Sequence, residues 1–385
     1  MKKLFFIAAI TGAALVSCTK NELAPSATEQ HEINFASPVT SLVTKGVDLV
    51  TGNLYPTSAP FWVFADHHMD VFASTTTNQF TSYMRGTDSK GVMVSHNNGA
   101  APGSDSGTAI DTYWKPATKY YWPMQGYLTF AAYSTGTTTT AGLSGYESLT
   151  YDVTKGLQLD AYTVSSSNQY DLMISERATD RKKEHSIEGT TATKYDGVEI
   201  QFKHALSAVK FAVKTASDYS TDKYTITLTS LSVQGAYTTA DLIQFPGDGE
   251  TMWSDYKNDK TGTTPSSYTV PFAEGTTLTL STAETTFCGN LDTDLVLLPQ
   301  ALNSTDNTHD VKVYMTYTVH HPDMGEGKVI PYTATLDLAA NTLTTATWDA
   351  GKRYLYTIII GMEEIVFAPT IVTDWAAETD QDINL

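Results

Sequence analysis

Residues 32–45 carry the sequence Glu-Ile-Asn-Phe-Ala-Ser-Pro-Val-Thr-Ser-Leu-Val-Thr-Lys, and this stretch decides how the rest of the chain is interpreted. Its main apolar side chains fall on one parity: Ile33, Phe35, Val39 and Val43. Polar side chains fall on the other: Asn34, Thr40 and Thr44. Because neighbouring residues of a strand point to opposite faces, the pattern predicts a β-strand with one face against a core.

Pro38 lies inside this stretch and has no backbone N–H to give to a neighbouring strand. It therefore predicts an edge strand or a bulged one. Removal of the strand would expose a groove lined by whatever its apolar side chains had covered. Full burial of one such side chain is worth about 1.5–3 kcal/mol.

The chain before this stretch has the features of a lipoprotein signal. Lys2 and Lys3 give a positive start, and residues 4–16 form an apolar run too short to span a bilayer. Residues 15–18, Leu-Val-Ser-Cys, are typical of a lipobox, which predicts that Cys18 carries acyl chains such as palmitate and that residues 1–17 are a signal peptide. The alternative is an ordinary secretory signal beside an incidental cysteine.

The composition excludes some classes of partner. Acidic residues outnumber basic ones by 42 to 24, which gives a formal net charge of −18, and no cluster of Lys and Arg dominates the chain. Such a surface argues against nucleic acid and against electrostatic docking on anionic membranes, so lipid would hold the chain at a membrane. Cys288 is the only cysteine besides Cys18, which leaves the lipidated chain without an internal disulfide.

The rest of the chain is predicted to be mostly β, because 22 Tyr and 25 Gly, with many Thr and Ser, favour strands and turns. Residues 198–213 alternate, but their apolar parity switches around residues 204–207, which predicts a bulge or a bend. Residues 236–242 are the one modest helix candidate in the second half. The charged stretch 177–194 lacks apolar periodicity and is predicted to be a solvated loop at a domain boundary.

The end of the chain is similar to its beginning. Ile365, Phe367, Ile371 and Trp375 share one parity, and Pro369 lies between them. The pattern predicts a second strand with one apolar face and a central proline. Such a strand is able to fill the kind of groove that loss of the first strand would leave.

No catalytic residue, cofactor or metal site is predicted, because the chain has no G-x-S-x-G, phosphate-loop, H-E-x-x-H or G-x-G-x-x-G motif. His67, His68 and Asp70 have metal-binding chemistry, but adjacent strand residues point apart, and surface histidines in a loop are the favoured interpretation. His320 and His321 are interpreted as part of a turn between strands.

Three further groups have a structural interpretation that is favoured over a functional one. Two acidic pairs, Asp292 with Asp294 and Asp380 with Asp382, lack the ligand count of a calcium loop and are interpreted as solvated acids. His204, at the parity switch, is interpreted as a partly buried, hydrogen-bonded histidine. Core or edge packing is favoured over sugar stacking for the main aromatic residues: Trp62, Trp114, Trp122, Tyr120 and Tyr121.

Seven blocks occur in order along the chain: the lipobox with Cys18; Tyr121-Trp122-Pro123 with residues 126–133; Asp171-Leu172-Met173; residues 202–207, Phe-Lys-His-Ala-Leu-Ser; Leu298-Pro299; residues 348–356, Trp-Asp-Ala-Gly-Lys-Arg-Tyr-Leu-Tyr; and residues 365–375. Together they resemble the fimbrillin family, the type V pilins and related lipoproteins of anaerobic gut and oral bacteria. Each block alone has little specificity, whereas the ordered set covers nearly the whole chain.

The resemblance implies a mostly β fold with two transthyretin-like β-sandwich domains in tandem, here residues 46–197 and 198–385. It also implies export to the outer membrane as a lipoprotein, with residues 18–45 as lipidated leader and first strand. A trypsin-like processing protease would cut this leader after a basic residue, here Lys45 before Gly46, because no other Lys or Arg lies between Lys20 and Arg85.

Family members often have Arg where this chain has Lys45, which leaves open whether the chain is cut or stays lipidated as an anchor or accessory subunit. Spacing alone favours cleavage no more than a simple exposed lysine in a loop.

The leading hypothesis is a structural or accessory fimbrial subunit that joins other pilin subunits by strand addition and mediates adhesion to host or bacterial surface ligands. Its groove-covering side chains would be Ile33, Phe35, Val39 and Val43, and its donor-strand side chains Ile365, Phe367, Ile371 and Trp375. The alternative is a monomeric surface lipoprotein that binds glycan. A third hypothesis is an enzyme with a site scattered over loops.

Overall fold

The computed structural model describes residues 32–36, 38–40, 55–96, 114–136, 142–164, 169–182, 187–188, 195–219, 224–257, 267–270, 278–283, 285–286, 294–303, 310–338, 346–361 and 364–374. Several residues singled out above lie outside these ranges: Cys18, Val43, Lys45, Gly46, Cys288, Asp292, Trp375, Asp380 and Asp382. What the sequence predicts for them stays a prediction.

The described residues are folded mainly as β-strands, which confirms the mostly β prediction. The strands of the first half are β1 Val39–Thr40, β2 Phe61–His68, β3 Thr81–Met84, β4 Val92–His96, β5 Trp114–Pro116, β6 Tyr127–Ser134, β7 Ser148–Asp152, β8 Gly156–Thr163, β9 Met173–Ser175, β10 Ala178–Arg181, β11 Ile187–Glu188, β12 Tyr195–Asp196 and β13 Gln201–His204. Those of the second half are β14 Ser207–Thr215, β15 Thr225–Gln234, β16 Thr239–Ile243, β17 Trp253–Lys257, β18 Ser267–Thr269, β19 Leu278–Thr279, β20 Thr285–Thr286, β21 Leu295–Leu297, β22 Gln300–Ala301, β23 Lys312–His320, β24 Ile330–Asp337, β25 Thr347–Trp348, β26 Lys352–Ile360, β27 Ile365–Phe367 and β28 Ile371–Asp374.

Helical structure within the described ranges is limited to single 3-10 turns: Phe72–Ser74, Thr77–Gln79, Thr87–Ser89 and Pro322–Met324. In the part of the chain that the structure describes, no helix has the length and apolarity needed to cross a membrane.

The first sheet has its two ends joined by the N-terminal segment, the name we give to residues 32–36 and 38–40. Its strands follow the order β1-β13-β9-β6-β2-β4-β5, with β3 beside β2 and β10 beside β6. At one end β1 runs parallel to β13, and at the other end Phe35 bridges to Trp114 of β5 in the antiparallel sense. The sheet therefore closes on itself through this one segment.

Strand β2 is buried on both faces because the first sheet borders two cores. Phe61, Val63 and Ala65 belong to the smaller core together with the N-terminal segment. Trp62 and Phe64 belong to the larger core. A strand covered on both sides is apolar at nearly every position, and this explains the run Phe-Trp-Val-Phe-Ala.

Three further sheets contribute to the larger core. The second sheet has the order β17-β16-β8-β7. The third has the order β20-β14-β26-β27, with β21 beside β14 and β28 beside β26, and the fourth has the order β18-β15-β23-β24, with β19 beside β15. Two short pairs, β11 with β12 and β22 with β25, complete the described strands.

The chain passes from the first sheet to the third between His204 and Ser207, where the apolar parity switches. Strand β13 pairs with β9 of the first sheet, and β14 pairs with β21 and β26 of the third. This crossing lies beyond the predicted boundary at residue 197. The second sheet also combines β7 and β8 with β16 and β17, which come from the two sides of that boundary. The division into two tandem domains stays a prediction.

Two local predictions are wrong. The helix candidate at residues 236–242 contributes to strand β16 instead, because Leu242 pairs with Leu159 of β8 and the edge of β8 outweighs helix propensity. The stretch after Arg177 does not begin as a solvated loop, since β10 pairs with β6 and Ala178 is buried. The Arg177 guanidinium lies 4.1 Å from the ring centroid of Phe245 and 4.7 Å from that of Phe72, so this charged residue packs on two aromatic rings.

Candidate functional site

The backbone of the N-terminal segment is hydrogen-bonded along both of its edges. On one side, Phe35 N–H donates to Trp114 C=O at 2.8 Å, and Trp114 N–H donates back to Phe35 C=O at 3.0 Å. On the other side, Val198 N–H donates to Asn34 C=O at 2.9 Å, and Ala36 N–H donates to Val198 C=O at 3.0 Å. Residues 32–36 are therefore paired on both sides, and the predicted edge strand is found only after Pro38, where β1 is the terminal strand of the first sheet.

Further hydrogen bonds extend this pairing in both directions. Ile33 N–H donates to Tyr120 C=O at 2.7 Å, and Val39 N–H donates to Ile200 C=O at 3.1 Å. We call the space that the segment occupies the groove, with residues 114–121 as its antiparallel wall and residues 198–202 as its parallel wall. If the segment left, both walls would present unpaired backbone groups to solvent.

Ile33 and Phe35 fill the groove with apolar side chains. Ile33 is 1% exposed and Phe35 is fully buried. The Phe35 ring lies edge-on to Phe61 and to Phe130, with both centroid distances at 5.8 Å. Edge-to-face pairs of this kind add about 0.5–1.5 kcal/mol to the burial of the ring itself.

Val39 does not share the buried face of Ile33 and Phe35, contrary to the alternation in the sequence. Its side chain is 39% exposed, whereas Pro38 is buried. The face changes at Pro38, which cannot continue the ladder with an N–H of its own. Its carbonyl instead accepts a hydrogen bond from Tyr55 N–H at 3.2 Å.

Tyr55 anchors the groove beside this change of face, and the sequence alone did not single it out. Its ring lies 5.3 Å from Trp114 and 5.4 Å from Phe202, so it contacts both walls. Its hydroxyl donates to Pro60 C=O at 2.9 Å, and burial raises the pKa of Tyr55 far above its usual range. The hydroxyl therefore stays neutral, as its apolar surroundings require.

The C-terminal strand, residues 365–374, lies in the third sheet and not in the groove. Its two parts, β27 and β28, both pair antiparallel with β26 and are separated by Ala368, Pro369 and Thr370. Within one chain, the N-terminal segment therefore pairs with the first sheet and the C-terminal strand with the third.

The C-terminal strand is only partly covered. Phe367 is 2% exposed and lies 6.0 Å from the ring of Tyr356. Ile371 does not share this buried face, because it is 44% exposed, and Val372 beside it is 41% exposed. The interruption at Pro369 again explains why one parity does not continue through the strand.

The histidines have structural partners. His68 is fully buried in β2, with Nδ1 at 2.6 Å from Asp70 C=O and Nε2 at 2.8 Å from Thr129 Oγ1, so the prediction of a surface loop is wrong for it. His204 is 7% exposed and lies 2.8 Å from Asp171 Oδ1, which confirms its interpretation. His321 begins the turn Pro322–Met324. Within the described ranges, no three His, Cys, Asp or Glu side chains lie close enough together to hold a metal ion.

The tryptophans at the candidate sugar platform are core residues. Trp62 is 5%, Trp114 1% and Trp122 8% exposed, which confirms the packing interpretation and leaves no open stacking surface on them.

Asp294 is not a solvated acid, because it forms a buried ion pair with Arg353. The two atoms, Arg353 Nε and Asp294 Oδ2, are 2.6 Å apart, and the side chains are 12% and 2% exposed. The pair spans β14, which lies between β21 and β26. It holds three strands of the third sheet, including the one that carries the C-terminal strand.

We expect Asp294→Ala to lower the free energy of unfolding by about 3–5 kcal/mol, since it leaves the Arg353 charge buried without its partner. Urea denaturation followed by circular dichroism measures the loss. The matched control is Asp310→Ala, which breaks a half-exposed pair with Lys312 at 3.8 Å and should cost about 1 kcal/mol or less. Equal losses in the two variants would contradict the structural role of the Asp294 pair.

Comparisons with known proteins agree with this fold. A protein-family model described as fimbrillin-like matches residues 64–375. The structure of a fimbrial protein from Bacteroides vulgatus is similar with a TM-score of 0.57 and 16% sequence identity, over 89% of this chain and 99% of that one. A comparison with curated protein sequences gives no significant match.

Two other solved structures are similar at lower scores. A proposed cell adhesion protein from Bacteroides uniformis has a TM-score of 0.43 at 16% identity, over 91% of this chain and 100% of that one. A fimbrilin from Porphyromonas gingivalis has a TM-score of 0.40 at 9% identity, over 90% of this chain and 98% of that one.

Proposed function

This chain belongs to the fimbrillin-like family, and from that premise we propose that it is a fimbrial subunit that polymerises by donor-strand exchange and mediates cell adhesion. In this proposal the chain reaches the outer membrane as a lipoprotein through Cys18. A protease cuts after Lys45 and releases residues 18–45, and the C-terminal strand of a second subunit enters the opened groove. The partners are thus other pilin subunits, the membrane lipid and the processing protease, with surface ligands at the adhesive end.

The observation that carries this proposal is the position of the N-terminal segment in the groove. One short piece of chain joins the two ends of the first sheet, pairs on both edges and places Ile33 and Phe35 in the core. The strands of the first sheet that follow residue 55 also pair with one another. Loss of the segment would therefore leave a folded subunit with two open walls and two empty apolar sockets.

The C-terminal strand repeats the Ile-x-Phe-Ala pattern of the N-terminal segment, with the following proline one residue nearer. Residues 33–36 are Ile-Asn-Phe-Ala and residues 365–368 are Ile-Val-Phe-Ala, and a proline follows in each case, Pro38 and Pro369. We infer a register in which Ile365 replaces Ile33 and Phe367 replaces Phe35. The incoming strand would restore both apolar contacts and the backbone pairing on both walls.

Exchange between subunits nearly conserves the apolar burial inside the groove. Each buried side chain contributes about 1.5–3 kcal/mol, and the two segments carry the same pair of buried types, so removal and replacement nearly offset each other. On leaving its own sheet the C-terminal strand gives up the burial of Phe367 and its pairing with β26, whereas Val366, Ile371 and Val372 are already 37%, 44% and 41% exposed there.

Limited trypsin digestion of the purified soluble chain tests the proposal. We expect cleavage after Lys45, identified by N-terminal sequencing that begins at Gly46, followed by ladders that resist SDS without heating. The control Lys45→Gln should remain uncut at this bond and monomeric. A chain that begins at Gly46 and stays monomeric at high concentration would overturn polymerisation, and a lipidated Cys18 as the mature N-terminus on cells would favour an anchor.

A further inference from the structure

The second sheet carries an open polar cavity of about 470 Å³ that no part of the proposed assembly uses. Its lining comes from residues 145–147 on the approach to β7, from Ala161 and Thr163 in β8, from Thr239 in β16 and from Lys257 in β17. The volume lies within the range of about 300–1,000 Å³ that small-molecule sites occupy.

The strands around this cavity depart from regular pairing on both sides of β16. The register of β16 shifts against β8 between Ala240 and Leu242, and against β17 between Thr239 and Asp241. Ala161 has φ 49° and Asp255 has φ 50°, a left-handed conformation that costs energy for residues with a Cβ. Bulges of this kind redirect side chains and are frequent beside binding sites.

Hydrogen bonds hold this irregular backbone in place. Ala161 N–H donates to Asp241 Oδ1 at 2.7 Å, which fixes the strained residue. Thr163 N–H donates to Gly145 C=O at 2.6 Å, and Glu147 N–H donates to Asp160 C=O at 2.9 Å, so residues 145–147 are tied to β8. These bonds fix the backbone around the cavity, so binding would require little ordering of the chain.

The cavity presents both hydrogen-bond donors and acceptors beside an aromatic ring. Lys257 is a donor and the Glu147 carboxylate an acceptor, while the hydroxyls of Thr163 and Thr239, whose oxygens are 2.9 Å apart, are able to do both. The half-buried Tyr146 adds an aromatic side chain. This combination matches a sugar ring, whose hydroxyls donate and accept and whose C–H face is apolar.

We propose that this cavity binds a neutral saccharide. The charge of the chain supports a neutral ligand over an acidic sugar, because a net charge of −18 repels anions. The site goes beyond strand exchange, since it uses the second sheet and leaves the groove and the C-terminal strand untouched. It also differs in place from the buried tryptophans considered for sugar binding from the sequence.

Saturation-transfer NMR of the uncut chain with a panel of neutral methyl glycosides of glucose, galactose, mannose and fucose tests this site, with N-acetylneuraminic acid as the acidic probe. We expect transfer to at least one neutral glycoside, and a loss of affinity of about tenfold or more in Glu147→Gln and in Thr239→Val. The matched control is Glu176→Gln, which changes an exposed glutamate outside the cavity and should bind as the parent chain does.

Three outcomes would overturn the proposal: no transfer to any neutral glycoside, transfer to the acidic sugar alone, or full affinity in both cavity variants. Glu147 is exposed, so its variant should fold even if Thr239→Val does not. Trypsin-induced polymerisation is measured on the same Glu147→Gln chain and should be unchanged, which separates failure of this site from failure of the proposed assembly.

Discussion

Phe35→Ala in the uncut chain lowers the free energy of unfolding by about 3–5 kcal/mol, the usual loss for a fully buried phenylalanine. The ring is fully buried, and it contacts Phe61 and Phe130 at the centre of the smaller core. The loss should be at the upper end of this range if the two hydrogen-bonded walls hold the backbone in place, because a rigid site cannot collapse around the cavity.

Urea denaturation of the uncut chain, followed by near-ultraviolet circular dichroism, measures this loss. The matched control is Val39→Ala in the same segment. Since Val39 is 39% exposed and lies beyond the change of face at Pro38, its replacement should cost about 1 kcal/mol or less. If both variants lose the same free energy, the segment does not close the first sheet in the way that the geometry indicates.

The same variant separates two roles for the segment. If the first sheet is equally stable without the segment, Phe35→Ala leaves the midpoint of urea unfolding nearly unchanged. If it completes the sheet, the uncut variant loses a large part of the free energy of unfolding that separates the uncut parent from the cut chain, which lacks residue 35. Comparison of the uncut parent, the uncut variant and the cut chain therefore measures how much of the contribution of the segment comes from this one ring.

Much of the groove follows from the sequence by simple alternation. The pattern from Ile33 to Phe35 gives the buried face correctly, and the pattern from Val198 to Phe202 gives the strand that becomes the parallel wall. The parity switch at residues 204–207 marks the place where the chain changes sheet. These features are local, so a period of two residues is sufficient to predict them.

The predictions from sequence fail where contacts with residues far away along the chain determine the structure. Pro38 suggests an edge strand along the whole stretch, but residues 32–35 before it lie between residues 114–121 and Val198, and alternation alone does not predict which strands pair. Val39 and Ile371 follow the apolar parity and are nevertheless exposed, because each follows a proline that changes the face. Asp294 has the composition of a solvated loop, and only the approach of Arg353 from β26 makes it a buried pair.

A second large effect is expected when the C-terminal strand, the proposed donor, loses its apolar side chains. After cleavage at Lys45, the double variant Ile365→Ala and Phe367→Ala should form no SDS-resistant ladder, whereas the parent chain does. In the proposed register these two side chains fill the sockets of Ile33 and Phe35, and loss of both removes about 3–6 kcal/mol of apolar burial from each subunit contact. A difference of that size lowers the association constant by about two to four orders of magnitude.

The matched control is Val366→Thr, which changes the residue between them to a side chain of similar shape. Val366 is 37% exposed and lies on the opposite parity, so this variant should polymerise as the parent does. Because Phe367 is also buried in its own sheet, the fold of each uncut variant is checked by circular dichroism before cleavage. A synthetic peptide of residues 364–375 provides a second measurement, since it tests the donor sequence on a cut parent chain whose third sheet is unchanged.

Mixing experiments distinguish strand exchange from simple aggregation. The double variant keeps an intact groove, so after cleavage it accepts a parent strand but offers none that can fill the next groove. It should therefore end growing polymers and shorten the ladders of the parent chain in proportion to its share of the mixture. Aggregation through exposed apolar walls predicts the reverse, because every cut chain has the same open groove and would join regardless of its C-terminal strand. Ladders of unchanged length in the mixture would show that residues 365–374 are not the donor.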